Sequence, residues 1–117
     1  MIKRLCPFDP LAYMRGVKMN MDEAMNKLGK FVRVHSMESP RGNTVANQFE
    51  IEFENGRVFQ SYRSIIAIYV FGQRTYYLGE DWDYSVTTGK YRNMFLCNTK
   101  KDVLEDIKNG RAVEVVE

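Results

Sequence analysis

The sequence predicts a single α+β domain with a mostly antiparallel sheet of about five strands and two short helices. Three observations lead to this fold class. Residues 49–54 alternate strictly between apolar and acidic side chains and run into Asn55-Gly56, a strong hairpin signal. Residues 64–70, SIIAIYV, are apolar on both faces and rich in β-branched side chains, as a central strand requires. Two further segments combine a capping residue with apolar side chains at helical spacing.

The N-terminal part of the chain divides into an arm and a helix. Residues 1–18 include two prolines and a glycine and show no regular period, which predicts an irregular N-terminal arm. Asn20 can cap the first helix, Glu23 can complete a capping box, and Gly29 can end the helix. The remaining chain, 19–117, is therefore expected to form the domain.

The central hairpin has two possible registers. A strand at 31–34 and an exposed loop precede it. A two-residue turn would place Phe53 opposite Val58, whereas a three-residue turn with a glycine bulge would place Ile51 opposite Phe59. The second register buries more aromatic surface, so we favour it.

The C-terminal third predicts a strand, a helix and a last short strand. Residues 75–79, TYYLG, are expected to return antiparallel to the central strand. Thr99 can cap the last helix and Gly110 can end it. A final strand is expected around 113–115. The inward stripe of the helix is predicted to be Val103, Leu104 and Ile107.

Composition limits the class of protein. A chain of 117 residues with 44% hydrophobic and 27% charged residues is typical of one globular domain and excludes a disordered, collagen-like or membrane-spanning chain. The net charge of +2 is too small to indicate nucleic-acid binding through the overall field. Cys6 and Cys97 match no metal-binding spacing and are expected to stay reduced. The N-terminus lacks the apolar run of a signal peptide, which predicts a cytoplasmic location.

Catalytic constellations are scarce in the sequence. His35 is the only histidine, which excludes a multi-histidine metal site. Glu80, Asp81 and Asp83 form the densest carboxylate cluster and can in principle hold Mg²⁺ with waters, but a solvated turn is the simpler interpretation. No glycine-rich phosphate loop is present. We therefore expect no catalytic residue, no cofactor and no metal.

The most informative segment is 79–101, which mixes aromatic, hydroxyl and basic side chains. Such a mixture suits a nucleic-acid backbone or a protein hot spot, because both need rigid aromatic area beside directed donors. In the alternative interpretation Trp82, Tyr84 and Phe95 complete the core while Thr87 to Lys90 make a hairpin turn. The two interpretations can each hold for alternating residues. The predicted contact residues are Trp82, Tyr84, Lys90, Tyr91, Arg92, Lys100 and Lys101.

Two charged features add candidate surfaces. Lys100 and Lys101 occupy the first turn of the last helix, where the helix dipole disfavours positive charge. If Lys90 and Arg92 fold nearby, these cations and the free amides of the helix start would form a site for phosphate or an acidic partner. The second possible surface is an acidic strand face, which can imitate phosphates or simply be solvated. It consists of Glu50, Glu52 and Glu54.

The run WDYSVTTGKYRNMFL, followed by TKKDVLEDIKNG, carries a family resemblance. Over roughly residues 44–117 the chain resembles a family of small, uncharacterised bacteriophage and prophage proteins, whereas residues 1–30 lie outside the resemblance. The family has no established activity, so the resemblance supplies no catalytic residue. It implies a phage or mobile-element origin, and small proteins of that origin often bind host machinery, including CRISPR effectors and other defence complexes.

Three functional hypotheses follow. The first is a non-enzymatic, anti-CRISPR-like inhibitor that binds a host protein or ribonucleoprotein complex in the bacterial cytoplasm. The second is a small nucleic-acid-binding accessory domain that uses the basic and aromatic segment 82–101. The third is a metal-dependent hydrolase built on Glu80, Asp81 and Asp83, which lacks the usual number of ligands and bases.

Overall fold

The computed structural model describes residues 19–116, which form three helices and one six-stranded sheet. The predicted arm at 1–18 lies outside the described residues. The helices are α1 (Met21–Asn26), α2 (Val86–Leu96) and α3 (Lys100–Asn109). The strands are β1 (Phe31–Glu38), β2 (Thr44–Phe53), β3 (Gly56–Ser61), β4 (Ser64–Val70), β5 (Tyr76–Leu78) and β6 (Ala112–Glu114).

The strands lie in the sheet in the order β1-β2-β3-β4-β5-β6. Strands β1 to β5 form an antiparallel meander, and β6 pairs parallel to β5 after the crossover through α2 and α3. The predicted α+β class with a mostly antiparallel sheet is confirmed. The sheet has six strands where about five were expected, and a third helix, α2, adds to the two that were predicted.

The two predicted helices begin at the capping residues that the sequence analysis identified. At α1, the Asn20 side chain accepts a hydrogen bond from the Glu23 amide, and the Glu23 carboxylate accepts one from the Asn20 amide. At α3, Thr99 and Asp102 form the same reciprocal pair. Gly110 ends α3 in the left-handed conformation, with φ of 82°.

Both expected registers of the central hairpin are wrong. The structure pairs Phe53 with Gly56 and Ile51 with Val58, so that Glu54 and Asn55 form the turn and Gly56 is the first residue of β3. Close packing explains the position of the glycine. A Cβ at Gly56 would lie 2.3 Å from a backbone oxygen of β4 and 2.5 Å from a side-chain carbon of Leu28, which follows α1. The glycine is therefore used for close approach within the sheet rather than for the turn.

Apolar side chains cover both faces of the sheet. On one face, Ala24 of α1 and Leu28, two residues after the helix, pack in a cluster that includes Val58 and Ile68. On the other face, α2 and α3 supply buried Tyr91, Phe95 and Val103, which pack with Phe59, Ala67 and Leu78. This second layer positions the segment 79–101 that the sequence singled out.

Candidate functional site

The segment 79–101 folds as a turn followed by α2, so the hairpin turn expected at Thr87 to Lys90 is wrong. Ser85 caps the helix in an extended conformation, and its hydroxyl accepts a hydrogen bond from the Thr88 amide at 3.1 Å. The first turn is built from β-branched residues and is followed by Gly89, all poor helix formers. Helix propensity therefore opposed the observed structure, and tertiary packing decided it.

Three of the predicted contact residues lie in the core. Trp82 and Tyr91 are buried, and Arg92 is only 1% exposed. The Trp82 indole nitrogen donates to the Glu114 carboxylate at 3.0 Å. These side chains hold the segment together, and they do not present a surface to a partner.

The Arg92 guanidinium joins α2 to the turn before it. It donates to the Trp82 carbonyl at 2.8 Å and to the Asn93 side-chain oxygen at 2.9 Å. It also lies 5.2 Å from the centre of the Trp82 ring, within cation–π range. Burial lowers the pKa of Arg92, and the neighbouring Asp83 carboxylate opposes that shift.

The predicted anion site contains a carboxylate of the protein itself. Lys90, Arg92 and Lys100 do line one open cavity of about 650 Å³, as the sequence suggested. Asp83 lines it too, 3.6 Å from the Arg92 guanidinium and 2.7 Å from the Lys100 ammonium. The Thr99 amide donates to Asp102, so this amide of the helix start is also occupied. The cluster is therefore partly neutralised from within.

A second open cavity, of about 660 Å³, lies between the β3–β4 turn and the start of α2. We call it the tyrosine groove. Three hydroxyl residues of its lining contact one another: the Ser61 and Thr88 hydroxyls lie 3.1 Å apart, and the Ser85 hydroxyl donates to Thr88 at 3.2 Å. Ser64 donates to the Asp81 carboxylate at 2.8 Å on one side. Tyr62, Arg63 and Tyr84 complete the lining.

Two tyrosines stand out from the rim of the tyrosine groove. Tyr62 is 60% exposed and Tyr84 is 76% exposed. Tyr62 has φ of 56°, a left-handed conformation that bulky residues rarely adopt. Its amide donates to the Asn47 carbonyl at 2.7 Å, and its carbonyl accepts from the Gln60 side chain at 2.8 Å. These bonds hold an aromatic side chain in solvent at the expense of backbone strain.

Sequence reasoning identified Tyr84 but missed Tyr62 and Arg63. These two residues form the two-residue turn between β3 and β4, where Ser61 pairs with Ser64. Such turns normally contain glycine, asparagine or aspartate. The available signal was a two-residue turn made of tyrosine and arginine, with no glycine, asparagine or aspartate, which indicates an unusual backbone conformation.

The acidic strand face is largely paired with cations. Glu50 lies 2.9 Å from Arg57, and Glu52 lies 3.1 Å from Arg33 and 3.2 Å from His35. The hydrogen bond from Arg33 lowers the pKa of the Glu52 carboxyl. These residues form a mixed-charge ladder rather than a uniformly negative strip.

The third glutamate of the predicted acidic face, Glu54, is hydrogen-bonded to the backbone. It accepts a hydrogen bond from the Lys30 amide at 3.0 Å. Glu54 lies in the turn after β2, so it does not extend the ladder formed by the other two glutamates.

The carboxylate cluster at 80–83 does not gather into one site. Asp81 faces Ser64, whereas Asp83 faces Arg92 and Lys100. Within residues 19–116, no group of three or more histidine, cysteine, aspartate or glutamate side chains is arranged to hold a metal ion. Cys97 is an exposed free thiol at the end of α2, while Cys6 lies outside the described residues.

Lys90 and Lys101 remain exposed, as the sequence suggested. The Lys90 ammonium lies 5.4 Å from the centre of the Tyr91 ring. No helix between residues 19 and 116 is long and apolar enough to cross a membrane.

Comparisons with known proteins place the chain in a family but add no activity. Neither curated proteins nor solved structures gave a match. The model of a family of unknown function, DUF8033, matches residues 32–110, which contain all of β1 except its first residue, together with β2 to β5, α2 and α3. Because this match covers more than half of the chain, the protein belongs to the DUF8033 family.

Proposed function

We propose that this protein is a non-enzymatic binding protein of phage or mobile-element origin that inhibits a host macromolecular machine in the bacterial cytoplasm. A defence complex, as for an anti-CRISPR protein, is the partner class that its family resemblance suggests. The observation that carries the binding function is the tyrosine groove, with Tyr62 held in solvent by a strained turn.

The residue types around the groove support a protein partner. Tyrosine and arginine are enriched in the residues that dominate protein–protein affinity, and Tyr62, Arg63 and Tyr84 lie together at the rim. A tyrosine has only two side-chain torsions, so little entropy is lost when it is fixed in an interface. The surrounding hydroxyl groups can both donate and accept hydrogen bonds, which suits a polar interface.

The buried residues of the predicted contact set support the groove from behind and do not line it. Arg92 and Trp82 hold the turn before α2 against the helix. That turn ends at Tyr84 and at the Ser85 cap, both of which line the groove. In this proposal they position the groove, whereas Tyr84, Lys90, Lys100 and Lys101 remain available as contacts.

Affinity capture from a host lysate tests the proposal. Tagged wild-type protein should recover a specific host complex, and a Tyr62→Asn/Tyr84→Ala variant should lose it. Leu104→Ala is the matched control, because Leu104 is also an exposed apolar residue but lies on α3. Equal recovery of the same proteins by wild type and the double variant would contradict the proposal.

One observation favours nucleic acid as a second candidate partner. Lys90, Arg92 and Lys100 line the same cavity, and Lys101 follows next along the chain. Phosphate contacts by the three lysines would give a slope of log K against log salt of about −2 to −3 on duplex DNA. Titration of labelled DNA and RNA at two salt concentrations measures this slope. A flat response, or no binding, removes the nucleic-acid function.

A further inference from the structure

The two edges of the sheet end differently. At the β6 edge, the chain just after the strand is paired: Asn20 forms a parallel bridge with Val116, and the Met21 amide donates to the Val116 carbonyl at 2.7 Å. At the opposite edge, β1 pairs with β2 on one side and, within residues 19–116, with no strand on the other. The outer side of β1 therefore presents backbone donors and acceptors that a further strand can pair with.

The β1 edge lacks two of the usual protections against such pairing, namely a short strand and proline or lysine residues. Natural edge strands are commonly short or carry proline or lysine, but β1 has eight residues and contains neither. Phe31, Val32 and Val34 are each more than half exposed. Register shifts between Phe31 and Arg33 and between Ser36 and Glu38 interrupt the strand at both ends. Regular pairing follows from Arg33 to Ser36, so this stretch is the available template.

Charge alternates from strand to strand on one face of the sheet. Arg57 of β3 pairs with Glu50 of β2, and Arg33 and His35 of β1 pair with Glu52 of β2. The Arg33 side chain remains 70% exposed after making its ion pair, so it has donors to offer on the outer side. The next strand in this ladder would match it best with carboxylates.

The other face of the edge is apolar. Phe31 lies opposite Phe53 with the ring centres 6.0 Å apart in an edge-to-face arrangement, and Val34 lies opposite Ile51. Cross-strand neighbours on this face would best be aromatic or β-branched. The two faces together require a strand in which acidic and apolar residues alternate.

We propose that the outer edge of β1 binds an extended, alternating acidic and apolar segment of a partner protein by strand addition. This surface is separate from the tyrosine groove and does not depend on it. A second copy of the chain fits the edge less well. Antiparallel pairing of two β1 strands centred on Arg33 would place two guanidinium groups together, and pairing centred on Val34 would place Arg33 of each copy opposite the His35 ring of the other, with no carboxylate to match it.

Two labelled peptides test the proposal. The first is QFEIEFE, which has the sequence of residues 48–54 and the required alternation. The second, QFKIKFK, replaces each of the three glutamates by lysine. Fluorescence anisotropy should show binding of the acidic peptide to the wild-type chain and at least about fivefold weaker binding of the basic one. Amide NMR shifts on addition of the acidic peptide should concentrate in residues 31–36.

Two variants separate the edge from a general charge effect. Arg33→Glu should reduce the preference for the acidic peptide or reverse it. Arg41→Glu changes the net charge by the same amount in the exposed loop after β1 and should leave the preference unchanged. Equal binding of both peptides, no binding of either, or NMR shifts outside β1 would overturn the proposal. Displacement of β2 by the peptide, or dimerisation through β1 without peptide binding, would also overturn it.

Discussion

Replacing Tyr62 with asparagine separates binding from stability. Tyr62 has φ of 56°, and the left-handed conformation costs a bulky residue roughly 1–2 kcal/mol, whereas asparagine tolerates it. The residue is 60% exposed, so about 40% of roughly 200 Å², or about 80 Å², is buried. At about 25 cal/mol per Å² this burial stabilises the fold by at most about 2 kcal/mol. The two effects nearly cancel, so Tyr62→Asn should change the free energy of unfolding by less than about 1 kcal/mol.

Urea unfolding followed by tryptophan fluorescence measures the stability, because Trp82 is the single tryptophan and is buried. Affinity for the captured host complex should fall by about 2 kcal/mol or more, which is about thirtyfold, if Tyr62 is a hot-spot residue. A loss of more than about 2 kcal/mol in stability together with unchanged affinity would refute the reasoning. Tyr62 would then be a structural residue of the turn.

Three further predictions concern the parts of the fold that support the site. Arg92→Met should lower the free energy of unfolding by about 1–3 kcal/mol, and Arg92→Ala should lower it by about 3–5 kcal/mol, because methionine keeps most of the buried volume. Equal stability of the wild type and both variants in urea would contradict this. Gly56→Ala should lower the free energy of unfolding by about 2 kcal/mol or more, because the alanine Cβ would lie 2.3 Å from a backbone oxygen of β4. An unchanged midpoint of thermal unfolding would contradict this. The pKa of the Glu52 carboxyl should lie below its usual range, so that its stabilising effect is present at neutral pH and is lost as the pH falls through the lowered pKa. NMR titration should show a higher Glu52 pKa in Arg33→Gln than in the wild type. An unchanged Glu52 pKa in this variant would disprove the assignment.

The sequence was sufficient for elements whose signals are local. The capping boxes at Asn20 and Thr99 define the starts of α1 and α3, and both depend on residues three positions apart. The central strand β4 follows from its own apolar run. These elements give the fold class without knowledge of any long-range contact.

Other features depend on contacts that the sequence does not display. Helix α2 contains β-branched residues and Gly89, and Arg92 stabilises it through bonds to a turn ten residues earlier in the chain. The position of Gly56 depends on how closely β4 approaches β3. Of the predicted inward stripe of α3, Val103 is buried and Ile107 packs partly buried against the core, whereas Leu104 is half exposed. The buried stripe of the helix is therefore narrower than its apolar pattern.

The candidate site was predicted in part. The aromatic and basic segment combines both interpretations of its pattern: Trp82 completes the core, whereas Tyr84 is exposed. The predicted gathering of Lys90, Arg92 and Lys100 occurs, but Asp83 lies among them. The sequence order could not indicate this, because the carboxylate and Lys100 are brought together only by packing of the turn against α3's start.

Site-specific photocrosslinking tests the central claim most directly. A photoreactive phenylalanine analogue placed at position 62 or 84 should crosslink the chain to a host macromolecule in cells, and the same analogue at position 104 should not. Mass spectrometry of the crosslinked product would identify its protein or nucleic-acid nature. Crosslinks from position 104 but none from 62 or 84 would contradict binding through the tyrosine groove.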